Sequence, residues 1–170
     1  IIGSLDVKED ILIPRCINHQ NNDYIITSIA KFSFKGQKQI ESIHFSDDSG
    51  LLLIEKKAFF RSSINHLSLP ASIEKLEEGW CHSTPKLTSI SVSPHNSRFS
   101  FINEKFLIEK TNENSDKYDL LHFVRRDIKQ KVIIPSSIKE INKYSFCDCK
   151  SLKSIEFEEN SKIQKICKSS

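Results

Sequence analysis

Residues 67–73 read LSLPASI, and residues 132–138 return to the same arrangement as VIIPSSI. In both stretches two apolar residues stand two positions apart, directly before a proline and two small residues. Side chains at that spacing point to the same side of an extended strand, and proline interrupts strand pairing. Each stretch therefore predicts a short strand with one side in the core, followed at once by a turn.

An apolar pair next to these turns recurs at a nearly constant distance along the chain. The copies are Ile26 and Ile29, Leu51 and Ile54, Ile73 and Leu76, Ile138 and Ile141, and Ile163 and Ile166. The second member returns after 25 residues from Ile29 to Ile54, after 22 to Leu76, and after 25 from Ile141 to Ile166. Such a period is the length of a leucine-rich repeat, in which each repeat forms one coil and stacked coils share a core.

A second pattern lies in the middle of these repeats. Residues 33–34, 58–59 and 145–146 each join a small residue to Phe, and Cys149 stands three residues after the last Phe. With these positions the chain resembles the BspA-like leucine-rich repeats, although residues 80–81 are Trp-Cys instead of the small residue and Phe. The resemblance implies a leucine-rich-repeat solenoid: a β-rich parallel coil with short helical or irregular turns and one hairpin-like interruption.

Stacked coils bury their apolar residues against one another, so equivalent residues should be buried inside the array and apolar surface should be exposed at its ends. Phe34, Phe59 and Phe146 occupy equivalent positions, so we expect all three to be buried. The runs at 11–14 and 163–166 resemble severed coils without a polar cap. We therefore expect self-association through uncapped ends.

Residues 96–131 break the period. Within this range, residues 99–108 and 118–123 have the composition of two extended segments, and the polar residues 109–117 predict the turn between them. The BspA-like repeats often carry such a hairpin-like unit. We interpret the chain as a single solenoid fragment, with repeats at about 11–95 and 132–170 and an insert at about 96–131.

The strand residues between the core positions must face outward, because successive side chains of a strand alternate between its two sides. These residues form columns of short polar side chains across successive strands, and such a surface is suited to contact with a partner. The candidate binding residues are Ser42, His44, His66, Ser68, Ser89, Ser91, Ser154 and Glu156. The alternative is a merely solvated sheet, since outward strand positions tend to be polar.

The insert provides a rival binding site. It interrupts the array and carries several aromatic residues, of which Phe101, Phe106 and Tyr118 are the candidates for contact with a partner. The alternative is that most of these aromatic side chains cover the core.

Motifs for catalysis or metal binding are absent from the sequence. No Gly-x-Ser-x-Gly, His-Glu-x-x-His or glycine-rich phosphate loop occurs. Cys147-x-Cys149, with Cys167 downstream, lacks the spacing and the fourth ligand of a zinc site, so a packed Cys149 is favoured. We expect no enzyme activity, no metal and no cofactor. The short basic run at 125–131 is interrupted by Asp127, which favours a solvated turn or strand edge.

Composition limits the possible partners and leaves the compartment open. The formal net charge is +3, with 25 basic residues scattered among 22 acidic ones, which does not favour nucleic acid. No apolar run is long enough to span a membrane. Five cysteines and the absence of an Asn-x-Ser/Thr site do not identify the redox compartment. Because Met is absent, we expect the chain to be an internal or trimmed piece.

Two functions from different classes follow. The first is a binding module that recognises a protein or glycan, because the resemblance implies surface or secreted proteins of adhesion and interaction. The second is a structural spacer that displays another domain and has no ligand of its own.

Overall fold

The computed structural model describes residues 10–112 and 114–170, and these residues form sixteen strands joined by turns without a helix. The chain divides into two compact units, the first ending at Asn96 and the second running from Ser97 to Ser170. The predicted β-rich parallel coil is thereby confirmed, and its connections are irregular turns. The predicted division into repeats and an insert at about 96–131 stays a prediction.

The first unit contains nine strands in three sheets. Its strands are β1 (Asp10–Ile13), β2 (Cys16–His19), β3 (Asn22–Ile25), β4 (Ser28–Ile29), β5 (Ser42–Phe45), β6 (Leu53–Ile54), β7 (His66–Leu69), β8 (Lys75–Leu76) and β9 (Ser89–Val92). Four of them form a parallel sheet in the order β1-β5-β7-β9, and three shorter ones form a second in the order β4-β6-β8. The hairpin β2–β3, which turns at Gln20 and Asn21, was not predicted.

The core of the first unit is built by stacking equivalent residues of successive coils. Phe34 lies parallel to Phe59 at 5.3 Å between ring centroids, and the edge of Phe59 meets Trp80 at 6.0 Å. All three side chains are buried. Trp80 stands at the position of the small residue Ala58, and its ring packs against Phe59 in the coil where Cys81 occupies the Phe position.

The turns of neighbouring coils are hydrogen-bonded to each other as the strands are. The backbone N–H of Phe34 donates to the carbonyl of Ala58 at 2.9 Å, and that of Phe59 donates to the carbonyl of Trp80 at 3.2 Å. This ladder satisfies backbone groups that buried irregular segments would otherwise leave unpaired. Regular hydrogen bonding therefore continues around the corners of the coil without a helix.

The second unit contains seven strands and changes from antiparallel to parallel pairing. Its strands are β10 (Phe99–Ile102), β11 (Phe106–Glu109), β12 (Leu120–Val124), β13 (Gln130–Ile134), β14 (Glu140–Ile141), β15 (Leu152–Phe157) and β16 (Lys165–Ile166). In the sheet β10-β11-β12-β14-β16, the first two pairings are antiparallel and the last two are parallel. Strands β13 and β15 pair in parallel beside it.

The expected single extended segment at residues 99–108 is instead a hairpin of β10 and β11. The N–H of Lys105 donates to the carbonyl of Ile102 at 3.0 Å, and Asn103 and Glu104 both have positive φ, at 51° and 53°. Two consecutive positive φ angles define the tight turn that suits the twist of a hairpin. The sequence prediction missed this turn because Glu is uncommon in it and no Gly marks it.

The expectation that Phe146 is as buried as Phe34 and Phe59 is wrong. Its side chain is only partly buried, although it packs against the core cluster of the second unit. In the first unit the equivalent rings are covered by an aromatic residue of the following coil.

We predict that Phe59→Ala lowers the free energy of unfolding by about 3–5 kcal/mol, because it removes a fully buried ring and leaves a cavity. Trp80 is the single tryptophan and contacts Phe59, so its fluorescence during urea unfolding reports on this unit. The control is Leu52→Ala at an exposed position, which should change stability by only about 0.5 kcal/mol. Parent-like unfolding of the Phe59 variant would show that the repeat alignment is wrong.

Candidate binding surface

Six of the predicted binding residues lie together on the outward side of the sheet β1-β5-β7-β9. Ser42 pairs with His66 and His66 with Ser89, while Ser68 pairs with Ser91 on the two last strands. Their side chains are half-buried or exposed, whereas the alternate residues Ile43, Leu67 and Ile90 are fully buried. We call this surface of the first unit, with His44 and the outward residues of β1, the strand face.

A pair of histidines occupies the centre of the strand face. The rings of His44 and His66 lie 5.2 Å apart between centroids at an interplanar angle of 32°. His66 is also held by two serines of β9, with Nδ1 at 3.0 Å from Ser89 Oγ and Nε2 at 3.3 Å from Ser91 Oγ. A neutral imidazole has one donor and one acceptor, so one hydroxyl donates to His66 and the other accepts from it.

The surroundings of His66 favour its neutral form. Partial burial lowers the pKa of His66 and the neighbouring imidazole of His44 lowers it further, whereas Asp10 acts in the opposite direction without outweighing them. A lower pKa favours the neutral imidazole. The strand face therefore presents hydroxyl groups around a neutral His66, with Asp10 at one edge.

Two outward residues of β1 were missing from the sequence prediction. Asp10 pairs with Ser42 and Leu12 with His44, so both extend the outward columns by one strand. Leu12 is 66% exposed and adds an apolar edge to the polar surface. The sequence of residues 10–13 could have identified both. If Ile11 and Ile13 face the core, the residues that alternate with them, Asp10 and Leu12, face outward.

Ser154 and Glu156 belong to a separate patch in the second unit. Both are exposed on β15, where Glu156 forms an ion pair with Lys131 of β13 at 3.1 Å. Ile133 lies directly opposite Glu156 and is itself 45% exposed. An exposed ion pair of this kind contributes little stability. In the first unit the outward columns extend across four strands.

Of the three candidate residues in the insert, two have accessible side chains. Phe106 is only 2% exposed and belongs to the core cluster of the second unit, so it cannot contact a partner. Phe101 and Tyr118 are half-buried, and the Lys110 ammonium lies 5.0 Å from the centroid of the Tyr118 ring. The alternative reading, that aromatic residues of the insert cover the core, holds for Phe106 as well as for Phe99 and Phe123.

A buried polar cluster joins the hairpin β10–β11 to β12. The Glu109 carboxylate accepts hydrogen bonds from Arg98 Nε at 2.6 Å and from His122 Nε2. The edge of Phe99 meets the His122 ring at 5.7 Å between centroids, which shields the pair from solvent. Burial raises the pKa of Glu109, but the hydrogen bonds and positive charges of His122 and Arg98 outweigh it, so the pKa lies below its ordinary value. This cluster fixes the hairpin.

Cys149 and the arginines of the basic run make contacts within the fold. Within residues 10–112 and 114–170, no group of three or more His, Cys, Asp or Glu is arranged to hold a metal ion. Cys149 is packed beneath the turn, with Sγ at 3.8 Å from the carbonyl of Val124, and burial raises the pKa of its thiol. Arg126 of the basic run is buried and donates to the carbonyl of Ser145 at 2.9 Å, while Arg125 pairs with Asp127.

Comparison with known proteins gives a family and a fold. A family model described as the BspA type leucine-rich repeat region matches residues 16–114 and 122–170 in six copies. No curated protein matches the sequence. In the part of the chain that the structure describes, no helix is long and apolar enough to cross a membrane.

Two solved structures share the fold at low sequence identity. A leucine-rich cell surface protein from Faecalibacterium prausnitzii A2-165 is similar with a TM-score of 0.70 and 18% identity, over 93% of this chain and 41% of that one. A leucine-rich repeat protein from Eubacterium ventriosum ATCC 27560 is similar with a TM-score of 0.63 and 17% identity, over 93% of this chain and 49% of that one. The chain spans less than half the length of either.

We predict that His44→Gln raises the pKa of His66, because it removes the repulsion from a second imidazole and leaves the partial burial unchanged. NMR titration of the imidazole resonances measures this, and Leu12→Ala is the control because it alters the same edge without removing a charge. An unchanged His66 titration in the first variant would show that burial alone lowers its pKa.

Since the pKa of His66 is lower in the folded chain than in the unfolded one, the first unit should lose stability as the pH falls below about 6.5.

We predict that the second unit is destabilised by acid through Glu109. Because its folded pKa is lowered, its contribution to stability is present above about pH 4.3 and is lost as the pH falls through the folded value. Glu109→Gln should lower stability at neutral pH by about 3 kcal/mol, because it leaves the buried His122 without its partner. Hydrogen exchange of β10 to β12 measures both effects, with the exposed Glu156→Gln as control. Equal exchange in the two variants would contradict the prediction.

Proposed function

Because this chain belongs to the BspA-type leucine-rich repeat family, we propose that it is a non-catalytic module that binds a protein or glycan through the strand face. The observation that carries this proposal is the set of outward side chains aligned across four parallel strands, which runs from Asp10 and Leu12 on β1 to Ser89 and Ser91 on β9 and is polar apart from Leu12. Inter-strand hydrogen bonds hold these groups in place, so little conformational entropy is lost when they meet a partner.

The dimensions of the strand face favour an extended ligand. Four strands at a spacing of about 4.8 Å span about 14 Å, and four residues along a strand extend about 13 Å. This area is smaller than the roughly 800 Å² per partner that a stable protein interface buries. A peptide segment or a glycan chain that runs across the strands would use the whole face, and a globular protein would have to contact its surroundings as well.

The chemistry of the face suits neutral hydrogen-bonding groups. The hydroxyls of Ser42, Ser68, Ser89 and Ser91 can each accept a hydrogen bond, because a hydroxyl oxygen has two lone pairs. Both nitrogens of His66 are engaged with Ser89 and Ser91 and hold these two hydroxyls in place. Backbone amides of a peptide and hydroxyls of a sugar are complementary to this set. The exposed side chain of Leu12 provides an apolar contact at one edge.

The compartment forms part of the proposal. One relative of known structure is described as a leucine-rich cell surface protein. A surface-exposed or secreted location would bring the strand face into contact with matrix proteins and glycans, in agreement with a role in adhesion.

We predict that the combined variant His44→Glu, Ser68→Lys and Ser91→Glu abolishes binding and leaves the melting temperature unchanged. The longer charged side chains obstruct the face, while their alternating signs avoid repulsion between neighbouring strands. Binding is measured by screening parent and variant against matrix proteins and a glycan array.

The variant Phe101→Ala with Tyr118→Ala tests the rival site. Loss of binding in this variant, together with normal binding of the strand-face variant, would place the site in the insert. A parent chain that binds nothing in the screen would support the spacer function instead.

A further inference from the structure

A second surface of the first unit combines aromatic rings with positive charge. It lies on the turns that follow β4, β6 and β8, and it does not overlap the strand face. We call it the ridge, and it consists of Phe32, Phe60 and His82 with the cations Lys31, Lys35, Lys57 and Arg61.

The rings of the ridge form a row across three successive coils. Phe32 and Phe60 lie 6.1 Å apart between ring centroids, and Phe60 stacks on His82 at 5.6 Å with an interplanar angle of 28°. Phe32 is 38% exposed, and the other two rings are half-buried. The repeat period therefore turns three separate side chains into one aromatic strip.

Four cations border the strip. The ammonium groups of Lys31 and Lys35 lie 4.9 and 5.2 Å from the Phe32 centroid, and the guanidinium of Arg61 lies 5.0 Å from that of Phe60. Lys57 contacts the Phe60 ring at 5.6 Å. Among residues 10–112 and 114–170, none of these four side chains forms an ion pair with a carboxylate. A cation against a ring still has N–H groups available to an anion.

Acidic residues also lie on these turns, but two of them are directed at the backbone. The Glu55 carboxylate accepts a hydrogen bond from the backbone N–H of Lys31 at 2.8 Å, and the Glu77 carboxylate accepts one from that of Lys56 at 2.9 Å. Both carboxylates keep their negative charge and lower the net charge of the ridge. Within residues 10–112 and 114–170, neither forms an ion pair with the four cations.

Folding alone does not account for the residues of the ridge. Phe32, Lys57 and Arg61 have φ angles of 66°, 59° and 58°, in the left-handed region that favours glycine. Gly79 occupies the position of Phe32 and Lys57 in the third coil, which shows that the turn accepts a residue without a side chain. Positive φ recurs at the equivalent positions of other coils, at Tyr144 and Ser169 for example, so the repeat turn requires the backbone conformation but not an aromatic or cationic side chain.

We propose that the ridge binds an anionic polysaccharide. The sugar rings would lie against the part of the aromatic strip that is left exposed, such as the edge of Phe32, and their carboxylate or sulfate groups would pair with the four cations that lie over the ring faces. An acidic peptide would use the cations but leave the row of rings without a function. The few cations also provide less charge than nucleic-acid binding normally requires. The inference is independent of the strand face.

The test compares binding of the chain to polymers of different chemistry by affinity electrophoresis. The anionic glycans are polygalacturonate, which carries carboxylates, and dextran sulfate. The comparison polymers are neutral dextran, poly-glutamate and single-stranded DNA. Two ridge variants are measured: Lys57→Gln with Arg61→Gln, which removes charge, and Phe32→Gly, which removes a ring and relieves its backbone conformation. Lys75→Gln with Lys86→Gln is the control, because it removes the same charge from exposed positions of the same unit.

We expect the charge variant to bind the anionic glycans about tenfold more weakly than the control. Phe32→Gly should weaken binding of the glycans without weakening that of poly-glutamate, and it should unfold at the parent's temperature or above. Preference for uronate or sulfate would identify the anion. The proposal would be overturned if the chain bound DNA more tightly than the glycans or bound neither glycan. It would also be overturned if poly-glutamate bound as tightly as the glycans and Phe32→Gly weakened neither. The strand-face variant should bind these polymers like the parent, which separates this test from that of the proposed function.

Discussion

Each coil of this fold depends on the next coil for its hydrogen bonds and for the burial of its apolar side chains. The short strands contribute only two residues apiece, as in β4, β6 and β8, and cannot stand alone. Hydrogen bonds between coils continue through the turns, as from Phe34 to Ala58. Because the backbones are held in register in this way, any residue type placed at one repeat position returns at the same place on the surface. Stability and surface chemistry therefore depend on the same alignment.

This alignment gives the first unit two surfaces of different character. The strand face carries hydroxyl and imidazole groups, and the partial burial of His66 favours its neutral form. The ridge carries aromatic rings and cations without acidic partners in the described residues. The first is suited to directional hydrogen bonds and the second to charge and stacking, so the two surfaces would select ligands by different physical properties.

The sequence predicted the features that depend on period and alternation. The repeat length, the burial of Phe34 and Phe59, and the outward direction of His44 and His66 all follow from spacing alone. The sequence did not predict features that depend on turn geometry, such as the hairpin turn at Asn103 and Glu104, because neither residue requires a positive φ. The burial of Phe106 was missed for the same reason, because its direction depends on where that hairpin turns. The ridge was missed because its residues are far apart in sequence and meet only through left-handed turn positions.

Strand β12 pairs antiparallel with β11 and parallel with β14, so it converts one mode of pairing into the other. The connection from β11 to β12 is not constrained to the length of a coil, since the ends of adjacent antiparallel strands lie close together. Loop-closure entropy rises slowly with loop length. Asp119 secures the base of this connection by accepting hydrogen bonds from the backbone and hydroxyl of Thr111. Insertions and deletions at the tip should therefore be tolerated during evolution, whereas a change of one residue within a strand would turn the inward side chains that follow it in that strand outward.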